Sequence, residues 1–292
     1  MSYGNETTSI VRLPALFARF VKLEHSVFAL PFAFAGAFLA RNSIPPAATL
    51  LWITLAMVAA RSLAMGLNRI IDREIDARNP RTAGRELPAG RLSAGQAYLF
   101  CGISLAALAL ALANLPPLTW YLSPIVVAAF VIYPYTKRFT SLCHVFLGAT
   151  IGLAPVGAWV AVTGQLSWQP FLLMGVVTFW IGGFDIAYAC LDLDFDRREG
   201  GHSLPVLLGV GRSLLVMRVF HVLAVALLAA EGLVRQRGAV YFAGVLVVAV
   251  LLAFENSLVS ARNLSRIGIF MNLNGFIGII YVFFLTVDLL VK

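Results

Sequence analysis

Long uninterrupted runs of apolar residues are the feature that most constrains this chain. The segment from Ala239 to Phe254, for example, contains no charged residue and does not alternate between apolar and polar positions. A helix needs about 20 such residues to cross a bilayer, whereas a strand of a membrane β-barrel alternates over about 10. Hydrophobic residues make up 60% of the chain and charged residues 12%, against roughly 25% charged residues in soluble domains. A soluble domain and a disordered chain are therefore excluded.

The apolar runs predict an all-α, polytopic membrane protein with about nine transmembrane helices. Their approximate ranges are 22–41, 47–69, 94–114, 118–135, 142–163, 170–191, 213–231, 239–256 and 267–290. The connections are short and contain no low-complexity tract, so residues 1–292 are expected to form a single membrane domain. The first run has no basic stretch immediately before it and no convincing cleavage site, so we expect it to be retained as a helix.

Positive charge predicts the orientation of the chain in the membrane. With the N-terminus in the cytoplasm, sixteen of the 22 Lys and Arg residues lie in cytoplasmic segments and four in outer segments, as the positive-inside rule requires. The net charge of +8 is attributed to this bias and not to nucleic-acid binding. We expect a multi-pass protein of the inner (cytoplasmic) cell membrane, with its polar site facing the cytoplasm.

Carboxylates are concentrated in two of the cytoplasmic segments. Nine of the 14 acidic residues lie there: Asp72, Glu74, Asp76 and Glu86 after the second span, and Asp185, Asp192, Asp194, Asp196 and Glu199 around the end of the sixth. A surface that only needs to be soluble does not require this arrangement.

The first patch has a helical spacing. Asn68, Asp72 and Asp76 lie at positions i, i+4 and i+8, so a helix that continues from the second span places them on one face. The dipole at that end of the helix disfavours anions, and like charges at i, i+4 repel each other, so the stack needs a cation. A metal ion and the neighbouring Arg69 and Arg73 are equally good sources of that charge, and this patch alone leaves both open.

The second patch repeats the spacing at the end of the sixth span. Tyr188, Asp192 and Asp196 lie at i, i+4 and i+8, and Asp185 precedes Asp192 by two turns on nearly the same face. Two such helix ends on one side of the membrane can face each other. Mg²⁺ is usually held by one or two carboxylates together with substrate phosphates. The two patches therefore predict a site for a diphosphate bridged by two Mg²⁺ ions.

Cationic side chains accompany the two patches. Lys137, one turn after Tyr133 at the end of the fourth span, lies on the correct side to reach a phosphate, although a Tyr-Lys-Arg helix end is also ordinary interface anchoring. Arg81 and Arg85 lie in a loop rich in Gly and Pro, which predicts an ordered cap. These two arginines fit a phosphate or an acceptor carboxylate, and they fit simple positive-inside charge equally well.

In these motifs the chain resembles the UbiA superfamily of intramembrane prenyltransferases over nearly its whole length. The residues that carry the resemblance form the first aspartate motif and its capping loop (Asn68, Asp72, Asp76, Arg81 and Arg85), the Tyr/Lys motif (Tyr133 and Lys137) and the second aspartate motif (Tyr188, Asp192 and Asp196). One position departs from the family pattern, because Arg69 stands where many members have an aspartate. Within the superfamily, the sequence is most similar to the 4-hydroxybenzoate polyprenyltransferase group.

The resemblance implies helices around a central cavity and a Mg²⁺-dependent transfer of a polyprenyl group. The donor is then a polyprenyl diphosphate and the acceptor an aromatic acid of the 4-hydroxybenzoate type, in ubiquinone or menaquinone biosynthesis. The implied roles are catalysis by Asp72 and Asp192, metal binding by Asn68, Asp72, Asp76, Asp192 and Asp196, and substrate binding by Tyr133, Lys137, Arg81, Arg85 and Tyr188. Membrane lipids are expected partners, and nucleic acid is not.

Two alternatives remain open from the sequence. One is a naphthoate-type acceptor in menaquinone biosynthesis. The other is a secondary transporter, although transporter sites lie near the bilayer midplane and these carboxylates lie at the membrane face. The sequence does not decide the role of Asp185, and Glu24 and His25 fit either acceptor binding or the membrane interface.

Overall fold

The computed structural model describes residues 13–22 and 29–292. This part of the chain consists of helices joined by turns and loops. The helices are α1 (Leu13–Phe20), α2 (Leu30–Arg41), α3 (Ala47–Ile71), α4 (Arg73–Arg78), α5 (Ala94–Leu112), α6 (Leu118–Thr136), α7 (Cys143–Thr163), α8 (Pro170–Ala189), α9 (Leu193–Glu199), α10 (Leu204–Val234), α11 (Ala239–Leu258) and α12 (Ile267–Val291). A 3₁₀ turn, Cys190–Asp192, joins α8 to α9. The prediction of an all-α membrane protein is confirmed.

Eight helices in the described part of the chain are long and apolar enough to cross a membrane: α3, α5, α6, α7, α8, α10, α11 and α12. At 1.5 Å per residue, the 25 residues of α3 extend about 37 Å, more than the roughly 30 Å of a bilayer's hydrocarbon core. The first predicted span is described only as α2, whose 12 residues are too few to cross. Residues 23–28, which belong to the same apolar run, lie outside the described residues.

The seventh span begins earlier than the sequence indicates. It was expected over 213–231, whereas α10 starts at Leu204 and ends at Val234. The expected range leaves Arg212 in the preceding cytoplasmic segment, but the chain is already helical there. Ser203 caps the new start by accepting a hydrogen bond from Val206 N (3.4 Å). The helix is interrupted at Gly209, where φ is 75° and ψ is 166°, a conformation that favours glycine.

Small residues allow the central helices to approach closely. A Cβ atom at Gly148 of α7 would overlap the backbone of Thr178 in α8, and one at Gly36 of α2 would overlap the backbone of Pro155 in α7. Such contacts hold membrane helices together where burial of apolar surface gives little driving force. Helices α2, α7 and α8 are thereby held close together.

The helices surround a cavity of ≈ 300 Å³, as the resemblance implies. Side chains of α3, α5, α6, α7 and α8 line it, and nearly all of them are apolar. Tyr133, Phe184 and Asn274 also border it. A space of this kind accepts an apolar chain and excludes water.

Candidate active site

Asp72 lies at the junction between α3 and α4. Hydrogen bonds of the helical i, i+4 type cross this junction, from Asp72 N to Asn68 O (2.9 Å) and from Asp76 N to Asp72 O (2.8 Å). The three residues of the first motif therefore keep their helical spacing. The single continuous helix expected here is instead two, because α3 ends at Ile71 and Asp72 is the N-cap of α4. Asp72 is also the C-cap of α3, so the dipoles of the two helices oppose each other at this residue.

The end of α6 supplies positive charge to Asp72. Lys137 Nζ lies 2.5 Å from Asp72 Oδ2, and Arg138 Nη2 lies 3.6 Å from Asp72 Oδ1. Arg138 also donates to the carbonyl oxygen of Ile71 (3.0 Å), at a helix end where unpaired carbonyls attract cations. Asn68 Nδ2 donates to Asp72 Oδ2 (3.1 Å). Asp72 is only 2% exposed, and these partners compensate its buried charge.

The loop after α4 joins the first motif to Asp192 in the second. Arg81 donates from Nε to Asp192 Oδ1 (2.7 Å) and from Nη2 to Asp192 Oδ2, a bidentate pair. Its Nη1 donates to the Tyr188 hydroxyl, and its guanidinium lies 4.5 Å from the centre of that ring. Asn79 Nδ2 donates to Asp192 Oδ1 (3.0 Å). Burial lowers the pKa of Arg81, but the hydrogen bond to Asp192 and the negative charges of the surrounding groups together outweigh this effect and hold that pKa above its ordinary value.

Asp76 anchors the same loop from the other side. Arg85 Nη1 lies 2.7 Å from Asp76 Oδ1 and 2.6 Å from Asp76 Oδ2. The Thr82 hydroxyl donates to the backbone carbonyl of Asp76 (2.9 Å), and Arg85 N donates to Thr82 O (2.9 Å). The loop is thus a series of hydrogen-bonded turns tied to a buried carboxylate. Asp76 is engaged in this anchoring by Arg85, whose side chain is 25% exposed, whereas Lys137 and Arg81, which hold Asp72 and Asp192, are 39% and 30% exposed.

Asp196 and Lys137 line a second pocket, which is polar and has a volume of ≈ 640 Å³. It lies among the ends of α3, α4, α6 and α9. Arg78 Nε lies 2.8 Å from Glu199 Oε2, and this ion pair joins α4 to α9. Lys137 therefore borders both this pocket and the Asp72 carboxylate, and it connects the two aspartate motifs.

The residues present fit Mg²⁺ only if a substrate completes its ligands. Within residues 13–22 and 29–292, no three His, Cys, Asp or Glu side chains lie close enough to hold a metal ion by themselves. Asp72 Oδ1 is nevertheless buried without a hydrogen-bond partner among the described residues. Carboxylate and amide oxygens are the ligands that Mg²⁺ takes in proteins, and phosphate oxygens and water usually complete its shell. Mg²⁺ bound together with a diphosphate is consistent with this set.

Three residues beside the site were not singled out for a role by the sequence. Arg61 lines the cavity, and its charge within a membrane span was the signal for a function. Asn79, next to Pro80, and His144, which pairs with Asp185 (2.7 Å), acquire their contacts from residues more than 40 positions away, so no local pattern predicts them. Glu24 and His25 lie outside the described residues.

The fold and the paired aspartate motifs define an intramembrane prenyltransferase, and the chain belongs to the UbiA prenyltransferase family. A model of that family matches residues 29–283. The protein is therefore a membrane enzyme, and the transporter hypothesis is set aside.

Two curated relatives with similar sequences carry the same name. The chain is 30% identical over 251 residues to "4-hydroxybenzoate octaprenyltransferase" of Marinobacter nauticus, covering 85% of each chain. It is 35% identical over 218 residues to the protein of that name in Xanthomonas euvesicatoria, covering 74% of this chain and 72% of the other.

Solved structures of the family have the same fold. A UbiA homolog from Aeropyrum pernix, solved without ligand, has a TM-score of 0.84 and 33% identity, and the match covers 91% of this chain and 98% of that one. A UbiA homolog from Archaeoglobus fulgidus, bound to GPP and Mg²⁺, has a TM-score of 0.69 at 18% identity, with 94% and 99% covered.

Proposed function

We propose that the protein transfers a polyprenyl group from a polyprenyl diphosphate to an aromatic acid of the 4-hydroxybenzoate type, in a Mg²⁺-dependent step of quinone biosynthesis. The observation that carries this proposal is the meeting of both aspartate motifs, Lys137 and Arg81 beside an apolar cavity. A charged head and a long apolar tail need these two environments side by side. The names of the curated relatives support the same reaction.

The charged residues bind the diphosphate in this proposal. Lys137 and Arg81 are the cations that can exchange their present carboxylate partners for phosphate oxygens, since both are partly exposed. Arg81 offers a planar fork of donors to two oxygens, and Lys137 offers a compact charge. Stabilising negative charge as it develops on a leaving group is often the largest contribution to catalysis.

Asn68, Asp72, Asp76, Asp192 and Asp196 are the proposed metal ligands. Bound Mg²⁺ supplies positive charge that neutralises the diphosphate and makes it a better leaving group. Asp72 and Asp192 are placed best for this role, because the cations that they hold, Lys137 and Arg81, are more exposed than Arg85 and can turn to phosphate. Asp76 can join them only by giving up its bidentate contact with Arg85.

The cavity houses the prenyl chain and the allylic cation formed from it. Tyr133 and Phe184 line the cavity, and aromatic rings stabilise a cation over their faces. Tyr133 precedes Lys137 by one helical turn, which places it directly below the level of the diphosphate. Apolar walls keep water away from the cation, which water would otherwise capture.

Arg61 is the residue we assign to the carboxylate of the aromatic acid. Of the described residues that line the cavity, Arg61 alone carries a formal charge. A carboxylate inside an apolar cavity requires a cationic partner, because burial of an unpaired charge is costly. The guanidinium fits a carboxylate bidentately. A naphthoate-type acid has the same carboxylate, so this contact accommodates both acceptors.

The active site faces the cytoplasm of a cell with this protein in its inner membrane. The positive-inside bias supports a cytoplasmic position for the ends of α3, α6 and α8. Prenyl diphosphates carry several negative charges, and even one charge at the bilayer centre costs about 2.5–3.5 kcal/mol on the lowest scales. The donor therefore presents its head from the cytoplasmic side, while its tail enters from the membrane.

The proposal is tested with purified protein in liposomes. A radiolabelled polyprenyl diphosphate is offered with equal amounts of 4-hydroxybenzoate and a dihydroxynaphthoate, with Mg²⁺ or with EDTA, and lipid products are identified by mass spectrometry. We expect prenylated 4-hydroxybenzoate with Mg²⁺ and none with EDTA. If prenylated naphthoate is the main product, the acceptor is a naphthoate-type acid and not 4-hydroxybenzoate. If no prenylated aromatic acid is formed, the proposed function is rejected.

A further inference from the structure

His144 and Asp185 form a hydrogen-bonded pair between α7 and α8, separate from the ion pairs of the aspartate motifs. His144 Nδ1 lies 2.7 Å from Asp185 Oδ2. The histidine side chain is 2% exposed, whereas 27% of the aspartate side chain remains exposed. The imidazole is therefore packed behind the carboxylate, and the carboxylate is the accessible member of the pair.

The second nitrogen of the imidazole fixes where its proton lies. Leu204 N donates a hydrogen bond to His144 Nε2 (3.3 Å), so Nε2 presents a lone pair. The ring proton then resides on Nδ1 and is donated to Asp185 Oδ2. This arrangement orients the carboxylate through one oxygen. An oriented and accessible carboxylate is what a general base requires.

The depth of Asp185 places it below the diphosphate. It precedes Tyr188 by three residues and Asp192 by seven, so all three lie near one face of α8 and its extension. Seven residues correspond to a rise of about 10 Å. The neighbouring Phe184 and, one turn before Lys137, Tyr133 line the cavity. In the proposed reaction, this depth is near the level at which the allylic carbon meets the aromatic ring.

We propose that Asp185 is the catalytic base that removes the ring proton of the acceptor, and that His144 is its positioning residue; this rests on the proposed function. The allylic C–O bond breaks and its electron pair leaves on the diphosphate. A π-electron pair of the aromatic ring forms the new C–C bond. The C–H electrons at that carbon restore aromaticity, and the proton passes to Asp185, which returns it to water.

A kinetic isotope effect distinguishes a catalytic base from a residue that only stabilises the structure of the site. The acceptor is supplied in ordinary and in ring-perdeuterated form, and product formation is followed for wild type and for Asp185→Asn. Proton loss in the wild type follows the slow C–O cleavage, so we expect the two forms to react at nearly equal rates. In Asp185→Asn we expect a rate about 10²–10⁴-fold lower, with a clear primary isotope effect because proton loss is now slow.

Variants of His144 test the positioning role independently. His144→Asn keeps an N–H donor near the position of Nδ1, and His144→Leu removes it. We expect His144→Leu to show a lower kcat and an isotope effect, with the donor KM unchanged, and His144→Asn to restore most of the rate. Asp194→Asn, at an exposed position of α9, is the matched control and should behave like wild type.

Each result has a defined meaning. A wild-type rate in Asp185→Asn, or a lower rate without an isotope effect, overturns the assignment of Asp185 as the base. If Asp185→Asn does not fold, the two His144 variants test the proposal. Equal rates and equal isotope effects in His144→Asn and His144→Leu would overturn the positioning role of His144 and the assignment of Asp185 with it. If the wild type itself prenylates no aromatic acid, the proposed function fails, and the proposal for Asp185 fails with it.

Discussion

Lys137 Nζ lies 2.5 Å from Asp72 Oδ2, joining positions 65 residues apart in the chain. The aspartate side chain is 3% exposed, and the lysine side chain is 39% exposed. The carboxylate is therefore buried, while the ammonium group reaches it from an accessible side. A lysine in this position neutralises the aspartate and can also meet an anion that arrives from the surface.

Lys137→Ala should weaken the handling of the prenyl donor more than the handling of the acceptor. The variant removes a charge proposed to contact the leaving group, so kcat/KM for the donor should fall about tenfold to a thousandfold. Steady-state kinetics with each substrate varied in turn measure this. Arg197→Ala, an exposed position on α9, is the control. If kcat/KM for the donor is unchanged in Lys137→Ala, Lys137 serves only to anchor the helix end at the membrane–water interface.

Both aspartate motifs should be required for turnover. Asp72→Ala and Asp192→Ala should each lower kcat by orders of magnitude, because each removes a proposed ligand of Mg²⁺. The exposed Asp194→Ala should retain activity, and EDTA should abolish the activity of the wild type until Mg²⁺ is restored. The elution profile in detergent checks that the variants are folded. Near-normal turnover in either site variant would contradict the two-metal hypothesis.

Arg61→Met should raise the KM for the aromatic acid while leaving donor binding nearly unchanged. Loss of a charged hydrogen bond to a carboxylate corresponds to about 1.5–3 kcal/mol, which is roughly a tenfold to hundredfold change. Arg61→Lys keeps the charge but loses the bidentate geometry, and its KM should be intermediate. Isothermal titration with the acceptor alone provides a second measurement. Equal KM values for the acceptor in the wild type, Arg61→Met and Arg61→Lys would show that Arg61 does not bind the acceptor.

Breaking the pair between Arg85 and Asp76 should lower stability. Arg85→Met leaves the carboxylate of Asp76 buried and unpaired, and because Arg85 is partly exposed the expected cost is about 1 kcal/mol or somewhat more. The apparent melting temperature in detergent should fall. The double variant Asp76→Asn/Arg85→Met should recover part of that loss, since no charge is left unpaired. If the double variant is also fully active, Asp76 serves as an anchor and not as a metal ligand.

Cysteine labelling should place the site on the cytoplasmic side. Arg78 and Arg197 are exposed positions on α4 and α9, and Gln165 is an exposed position at the opposite end of α7. A cysteine at Arg78 or Arg197 should react with a membrane-impermeant reagent only in inside-out vesicles. A cysteine at Gln165 should react only in right-side-out vesicles. These variants should be made in a protein in which Cys101, Cys143 and Cys190 are replaced, so that native thiols are not labelled. The reverse pattern of labelling would show that the site faces the opposite side of the membrane.

Much of this architecture is predictable from local sequence. Apolar runs identify the spans, since crossing a bilayer demands a fixed length. The i, i+4 spacing identifies Asp72 and Asp192, since helical geometry repeats over four residues. The start of α10 differs from the prediction, because the chain is already helical from Leu204 and the backbone leaves the helical conformation only at Gly209 before the long span.

The partners of the site residues were not predictable. Arg81 meets Asp192 across 111 positions, and His144 meets Asp185 across 41. Such contacts depend on which helices pack together, and no periodic pattern in the sequence predicts them. Local patterns thus identified the carboxylates, and tertiary packing determined which cation each of them holds.

The apolar cavity and the charged helix ends meet at a boundary between two solvents. In the proposed reaction, the diphosphate set free at Lys137 and Arg81 dissolves only in water, while the lengthened aromatic product dissolves only in lipid. The two products therefore depart in opposite directions, and neither obstructs the exit of the other. Recombination is disfavoured by partition alone, so the placement of this boundary helps to make the transfer irreversible.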